Sequence, residues 1–349
     1  MSQLQEVTER HRFDVDRLAR YLQRELPGFA GPLQVRQFQG GQSNPTYLLS
    51  TPLRRYVMRS KPGPVAKLLP SAHAIEREFR VMRALGAQGI PVPEVLLLCE
   101  DESVIGRAFF LMEHVDGRVL WDPALPGASA AERAAVYDEM NRVIAALHSV
   151  DIAAAGLADF GRAGNYFERQ IGRWSKQYRA SETEPIEAMD RLIDWLPAHV
   201  PAGDETSVVH GDFRLDNLIF HPTEARVLAV IDWELSTLGH PLADFSYLCM
   251  GWHIPPGAFR GIAGLDLAAL GIPDEQEFIR AYCRRTGRDA ITNWNFYLAY
   301  NLFRISAILQ GVYKRALDGM ASADNALAAG ANAKALAALG WRYASRAAG

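Results

Sequence analysis

Only 3 of the 349 residues are cysteine, and Cys99, Cys249 and Cys283 lie far apart in the chain. Neither a disulfide framework nor a cysteine-based zinc site follows from them, and a reduced, cytoplasmic setting is expected. Charge of one sign is not in excess either: 37 Lys plus Arg face 40 Asp plus Glu, a net −3. That balance gives no electrostatic basis for binding nucleic acid, short of a local basic patch that the total does not reveal. No apolar run reaches the ~18–20 residues of a membrane span, and the opening Met1–Arg10 lacks the apolar centre of a signal peptide, so no membrane partner is expected. There is no G-x-x-x-x-G-K-[ST] loop, no H-E-x-x-H and no G-x-S-x-G, which removes P-loop ATPase, zinc-protease and α/β-hydrolase chemistry. What is present is globular in composition, 49% hydrophobic and 22% charged, in a length that suits two domains.

Hydrophobic rhythm divides the chain into two halves. Val15, Leu18, Leu22 and Leu26 recur at helical spacing until Pro27-Gly28 ends the pattern. Leu33–Phe38, Thr46–Leu49 and Arg55–Ser60 read as strands separated by turns at Gly40–Pro45 and around Pro52. A helix follows over Ala72–Ala87, then strands Val95–Cys99 and Ala108–Met112. Beyond the connector His114–Gly117 the pattern turns helical, at Ala128–His148, Tyr166–Arg179, Ile186–Leu196 and most of Asp274 to the end. One β interruption, Val208–Glu234, sits among these helices. The expected architecture is α+β: a small antiparallel-sheet lobe with one helix over residues 1–115, and a larger, mainly helical lobe over 116–349.

The chemistry concentrates in that interruption. Asp212 and Asn217 stand five positions apart in His210-Gly211-Asp212-Phe213-Arg214-Leu215-Asp216-Asn217, and Asp232 closes the apolar run Val227–Ile231. A hairpin turning at His221–Glu224 brings Asn217 and Asp232 to one end of a sheet. An amide oxygen and a carboxylate placed there suit Mg²⁺, a hard cation that shares its shell with phosphate oxygens. Asp212 is left to orient a hydroxyl and accept its proton, the base–metal-ligand–metal-ligand order of phosphoryl transfer, with Gly211 where protein kinases carry Arg. Taken singly, each of these residues is also a common turn former. His210 reads as a structural hydrogen-bonding residue, and Asp244 either accepts backbone bonds from the His210 loop or caps the helix it opens.

The first half offers an independent check. On the Ala72–Ala87 helix, Ile75, Phe79, Met82 and Leu85 share a face, and Glu78 falls within it. A carboxylate so placed needs a cation. Arg59 is the candidate partner, since Arg55, Val57 and Arg59 share one side of their strand; Lys61 has the same parity but precedes Pro62. A slightly rotated helix would instead leave Glu78 in solvent. Gly40 and Gly41 allow a backbone to approach phosphate closely, and Ser43 and Asn44 can donate to it, although such pairs also serve as plain turns. Glu113 and Val115, in the connector after the last strand, can offer backbone groups to a purine edge, or simply link the halves.

These motifs together resemble the aminoglycoside phosphotransferase/choline kinase family, a branch with the two-lobed protein-kinase-like fold. Arg59–Gly63 and Ser71–Glu78 are more similar still to the subgroup of phosphotransferase-like domains found beside, or fused to, acyl-CoA dehydrogenases. The resemblance covers about Phe13 to Leu336. It implies a nucleotide-binding lobe followed by a catalytic and substrate lobe, with Asp212 as catalytic base, Asn217 and Asp232 as Mg²⁺ ligands, and Glu78 paired with a phosphate-holding cation. It implies ATP or GTP as donor. In the antibiotic-modifying members that cation is usually lysine, whereas here Arg59 matches the position, with a planar, multidentate group in place of a point charge.

The acceptor is expected to be a small-molecule hydroxyl. From Pro241 onward there are 8 Asp plus Glu against 11 Lys plus Arg, which argues against a polycationic aminoglycoside, although Ala130–His199 carries 11 against 8 in the opposite sense. Trp294, Tyr297, Tyr300 and Phe303 line a pocket or, as helical spacing more often means, form core. A hydroxyacyl-CoA-type metabolite is suggested by the company the subgroup keeps. The competing expectation is a non-catalytic nucleotide-binding regulatory module that partners an acyl-CoA dehydrogenase. A protein kinase is disfavoured, because Asp232-Trp233-Glu234 replaces Asp-Phe-Gly and no Ala-Pro-Glu follows.

Overall fold

A computed structural model describes residues 4–39, 44–62, 74–319 and 326–347 of the chain. In chain order its first elements are β1 (Leu4–Gln5), α1 (Val15–Glu25), β2 (Gln34–Phe38), β3 (Thr46–Ser50), β4 (Arg55–Ser60), α2 (Ile75–Ala87), β5 (Val95–Cys99), β6 (Phe109–Glu113) and β7 (Arg118–Val119). Next come α3 (Ala130–His148), α4 (Tyr166–Ser181), α5 (Glu187–Ala198), β8 (Ser207–Val209), β9 (Leu218–Phe220), β10 (Val227–Val230) and β11 (Thr237–Gly239). The remainder is α6 (Pro241–Cys249), α7 (Leu267–Leu270), α8 (Glu275–Thr286), α9 (Trp294–Leu317) and α10 (Ala326–Ala347). None of the described helices is long and apolar enough to cross a membrane, and all three cysteines are unpaired and buried.

Two compact units emerge. The first comprises Met1–Val119, Ala153–Phe160 and Asp216–Ser236; the second comprises Leu120–Ile152, Gly161–Leu215 and Thr237–Gly349. The first unit is built on an antiparallel sheet of order β1-β2-β3-β4-β6-β5. Strand parity decides its layers. Tyr56, Met58 and Ser60 of β4 are buried, and Tyr56 and Met58 join Tyr47, Leu49, Phe109 and Leu111 against Leu18 and Leu22 of α1. Asp14 starts α1 by accepting the Arg17 amide at 2.8 Å. The alternate residues of β4, among them Arg59, take the other face.

The helix α2 buries Ile75, Glu78, Val81, Met82 and Leu85. Phe79 is only half-buried and Val81 is buried in its stead, so the buried face is turned slightly from its expected place; Phe79 still meets the Phe110 ring edge-on at 6.1 Å. The same unit holds a small sheet, β7-β9-β10, in which Leu218 pairs with Val230.

The second unit is helical around the short β8-β11 pair; β11 was not expected from the sequence. Its centre is α9, where Tyr297, Tyr300 and Phe303 are buried, as core residues rather than pocket lining. Asp274 starts α8 with a reciprocal capping box, its side chain accepting the Glu277 amide while Glu277 accepts the Asp274 amide.

Close approach fixes β7 against β9. A Cβ on Gly117 would collide with the Phe220 carbonyl oxygen and with Cγ2 of Ile219. Gly117→Ala must therefore push apart the pair that holds β9, and the expected loss is about 1–3 kcal/mol in urea unfolding. Unchanged stability would show that the strands can separate without penalty.

Candidate active site

In the first unit the side chains converge on Arg59. Its Nε lies 3.3 Å from Glu78 Oε2, its Nη1 donates to Asp232 Oδ1 at 3.2 Å, and its Nη2 reaches Glu234 Oε2 at 3.5 Å. The Arg59 and Glu78 side chains are only 11% and 2% exposed. Asn44, itself fully buried, donates from Nδ2 to Glu78 Oε1 at 2.9 Å. Burial pushes the Glu78 carboxyl up to about 7, the Asp232 and Glu234 charges add to the rise, and Arg59 and Asn44 oppose it. Burial works against the Arg59 charge too, and the three carboxylates outweigh it, so its pKa rises. Glu78 therefore faces the cation that its helix position demanded. Lys61 is engaged elsewhere, by Glu76.

Asp232 leaves β10 in the left-handed backbone region, at φ +70°, and turns the chain into the 3-10 segment Trp233–Leu235. Buried Trp233 pins that turn by donating from Nε1 to the Val230 carbonyl at 2.9 Å. Asn217 sits beside it, because its carbonyl accepts the Ile231 amide at 2.9 Å. The hairpin thus brings Asn217 and the stem of Asp232 to one end of β9-β10. Among the described residues no three His, Cys, Asp or Glu side chains are grouped to hold a metal by themselves. The local charge nevertheless fits a cation: three carboxylates share the single guanidinium of Arg59. Asp232 is the most open of the three, at 33%.

The other nucleotide-site expectations are placed less fully. Gly40, Gly41 and Ser43 lie outside the described residues. The side-chain amide of Asn44, which borders them, donates to Glu78. Glu113 ends β6 with its amide bonded to the Glu94 carbonyl at 2.9 Å, so its carbonyl is the group that could meet a purine. Val115 follows two residues later in the connector, and neither joins the Arg59 cluster in the described contacts.

In the second unit, Asp212 follows β8 on a loop held from beneath. Asp244 of α6, 2% exposed, accepts the His210 amide at 2.7 Å and the Gly211 amide at 2.9 Å. His148 approaches it at 3.3 Å. Burial alone would raise the Asp244 pKa; the His148 and His210 contacts reverse that and hold it below the usual carboxylate range. Asp244 is thus the brace, while His240 caps α6 by accepting the Leu242 amide at 3.2 Å. Gly211 has φ +84°, a conformation that disfavours any side chain. Its carbonyl accepts from Nη2 of buried Arg304 at 2.5 Å. Asp212 itself accepts from Tyr247 Oη at 2.6 Å through Oδ1, and Arg214 Nε stands 3.1 Å from its Oδ2.

Tyr247, Arg304, Arg214 and Glu234 were missed by sequence reasoning. Tyr247 and Arg304 lie 35 and 93 residues from the loop residues they contact. Only the mid-helix arginine of α9 was a readable signal, since a charge among Leu302, Phe303 and Ile305 requires a partner.

The raised Glu78 pKa has a consequence for pH. A folded-state value near 7, against 4.5 for an ordinary Glu, means the folded chain binds more protons, so this group's contribution to stability is present below pH ~4.5 and declines up to ~7. Glu78→Gln should abolish that decline, on the order of 3 kcal/mol at most. The check is chemical denaturation of both proteins from pH 4.5 to 8. Parallel stability curves would place Glu78 in an unperturbed environment.

Residues 34–292 match the model of the phosphotransferase enzyme family. Mouse acyl-CoA dehydrogenase family member 10 is 51% identical over 95% of this chain and 31% of its own length. Rat acyl-CoA dehydrogenase family member 11 is 45% identical over 98% of this chain and 44% of its own. The chain therefore spans less than half the length of these curated relatives. A crystal structure from Ralstonia eutropha, whose assignment as an aminoglycoside phosphotransferase is itself provisional, is 61% identical with a TM-score of 0.89, covering 96% of this chain and 99% of that one. An aminoglycoside phosphotransferase solved with AMP-PNP and hygromycin B shares the fold at 19% identity, with a TM-score of 0.61 over 93% of this chain and 98% of that one. With its antiparallel sheet, its helical second unit and a match across most of its length, the chain belongs to the phosphotransferase enzyme family and has the protein-kinase-like fold.

Proposed function

We propose that the protein is a Mg²⁺-dependent phosphotransferase that moves the γ-phosphate of ATP or GTP to the hydroxyl of a small molecule. The observation that carries this reading is the buried Arg59–Glu78 pair, 3.3 Å apart and tied to Asp232. A guanidinium held so rigidly is suited to donating to phosphate oxygens without reorganising. Gly40, Gly41, Ser43 and the backbone at Asn44 would enclose the phosphates, and Glu113 and Val115 would offer backbone groups to the purine. Asn217 and Asp232 would hold the Mg²⁺, which when bound neutralises charge on the β- and γ-phosphates. Asp212 orients the acceptor hydroxyl and takes its proton as the new O–P bond forms and the bond to the departing nucleoside diphosphate breaks.

The names of the mouse and rat relatives suggest an acyl-CoA-linked alcohol as acceptor, a hydroxyacyl-CoA-type metabolite rather than an aminoglycoside, and a functional link to an acyl-CoA dehydrogenase. A cytoplasmic location suits three unpaired thiols.

A phosphorus NMR screen of candidate alcohols, including hydroxyacyl-CoAs and aminoglycosides, with Mg²⁺-nucleotide tests the reading. A phosphoester product is expected. Asp212→Ala should lower its formation by about 100-fold or more while nucleotide binding persists, and Asp232→Ala should remove Mg²⁺-dependent nucleotide binding. Full turnover by Asp212→Ala would show the base to be misassigned. Nucleotide binding without transfer to any alcohol would instead favour a regulatory module.

A further inference from the structure

Beside Asp212 the second unit contains a cavity of about 60 Å³ that opens to solvent. Two of its lining residues, Tyr247 and Arg214, are the ones that contact the Asp212 carboxylate. Its walls include Tyr137, Met140, Trp252 and Phe259. The polar tips of these aromatic residues point elsewhere. Tyr137 Oη donates to the Pro123 carbonyl at 2.8 Å, and Trp252 Nε1 to the Pro273 carbonyl at 2.9 Å. What faces the cavity is therefore ring surface, with Tyr137 and Trp252 packed edge to face at 5.5 Å.

Among the described lining residues the charged side chains are Arg214, which is paired with Asp212, and Arg260. Arg260 is held there against the backbone's preference: Phe259 and Arg260 have successive positive φ values of +31° and +58°. The loop is locked around them by Gly261 N–H to the Ala258 carbonyl at 3.0 Å, Ile262 N–H to Gly251 at 2.8 Å and Ala263 N–H to Ile254 at 2.9 Å. Two adjacent non-glycine residues in that region are uncommon and persist where the surroundings enforce them.

Building on the phosphotransferase reading, we infer that this cavity is the acceptor site, that it takes an alcohol with an apolar body and an anionic group, and that Arg260 selects for the anion. The aromatic walls hold the carbon chain, and the arginines repel a polycation. An anion at this position also competes with Asp212 for Arg214. In the free protein both oxygens of Asp212 are engaged, Oδ1 by Tyr247 and Oδ2 by Arg214. When Arg214 turns to the acceptor's anion, Oδ2 becomes available for the hydroxyl proton while Tyr247 keeps the carboxylate aligned. Asp212 then acts as a base only with the right acceptor present.

The test is calorimetric binding of hydroxyhexanoate, its methyl ester, hexanediol and hexanediol monophosphate to the full chain, with phosphoryl transfer followed by phosphorus NMR in parallel samples. The anionic compounds should bind about tenfold or more tightly than the ester and the diol, as a charge-assisted hydrogen bond warrants. A phosphate monoester that outcompetes the carboxylate identifies phosphate as the anion; the reverse identifies a carboxylate. Arg260→Gln should bring anionic and neutral compounds to within twofold of each other, and Arg260→Lys should restore several-fold preference, which a merely structural role would not do. Equal binding of acid and ester by the wild type, an unchanged ratio in Arg260→Gln, or no binding of any compound overturns the inference. Transfer without charge preference leaves the phosphotransferase reading standing and removes this one; charge preference without transfer to any alcohol keeps an anion-selective cavity but overturns its assignment as the acceptor site.

Discussion

A guanidinium taken out of water must be surrounded by acceptors, and Arg59 has three carboxylates around it: Glu78, Asp232 and Glu234. Much of the first unit follows from meeting that requirement. The parity of β4 places Arg59 on the face away from the α1 core, and α2 must turn so that Glu78 lies among Ile75, Met82 and Leu85. The β9-β10 hairpin must then end where Asp232 can reach. Desolvation of such a group amounts to several kcal/mol, and removing one partner strands the remaining charge. The arrangement is nevertheless overcompensated, since three acids share one base. Burial is the main cause that lifts the Glu78 pKa towards 7, and the neighbouring Asp232 and Glu234 charges add to it.

The second unit solves a different problem, that of holding a loop in an improbable shape. Gly211 at φ +84° turns the backbone so that the amides of His210 and Gly211 both meet Asp244, and the Gly211 carbonyl meets Arg304. An N–H pair and a carbonyl that close together would be unsatisfied in an apolar interior. Asp244 and Arg304 supply the missing partners, and Arg304 also lies over the Tyr247 ring at 5.1 Å. Tyr247 in turn binds Asp212. The position of one carboxylate is thus determined by two buried charges and a phenol, none of which reacts itself.

How far this could be read in the sequence depended on whether a constraint was local. Strand alternation put Arg59 opposite Met58, and helical spacing put Glu78 on an apolar face, because both follow from periods of two and 3.6 residues. The Asp244 brace was readable as one of two alternatives, since a carboxylate opening a buried helix must either cap it or bond a loop. The details that failed were those set by tertiary packing. The buried face of α2 takes in Val81 and leaves Phe79 at its edge, which puts Glu78 near its centre. The contact from the Asn44 side-chain amide to Glu78 spans 34 residues and has no local signal. Nothing local to Tyr247 announces a contact 35 residues away.

Charge counts by segment were a still weaker guide, and the reason is instructive. The opposite imbalances of Ala130–His199 and of the chain from Pro241 onward average over surfaces that face water, where screening makes most charges indifferent to a ligand. What a ligand meets is set by the few side chains that share its low-dielectric surroundings. Around the cavity next to Asp212 these are two arginines from separate segments, one of them within a tract that also contains Asp266 and Asp274, which cap helices by accepting the Ala269 and Glu277 amides. Acids committed to caps do not offset cations at a cavity wall. Selectivity for an acceptor then depends on which charges the fold places at the cavity wall, a placement that composition alone does not contain.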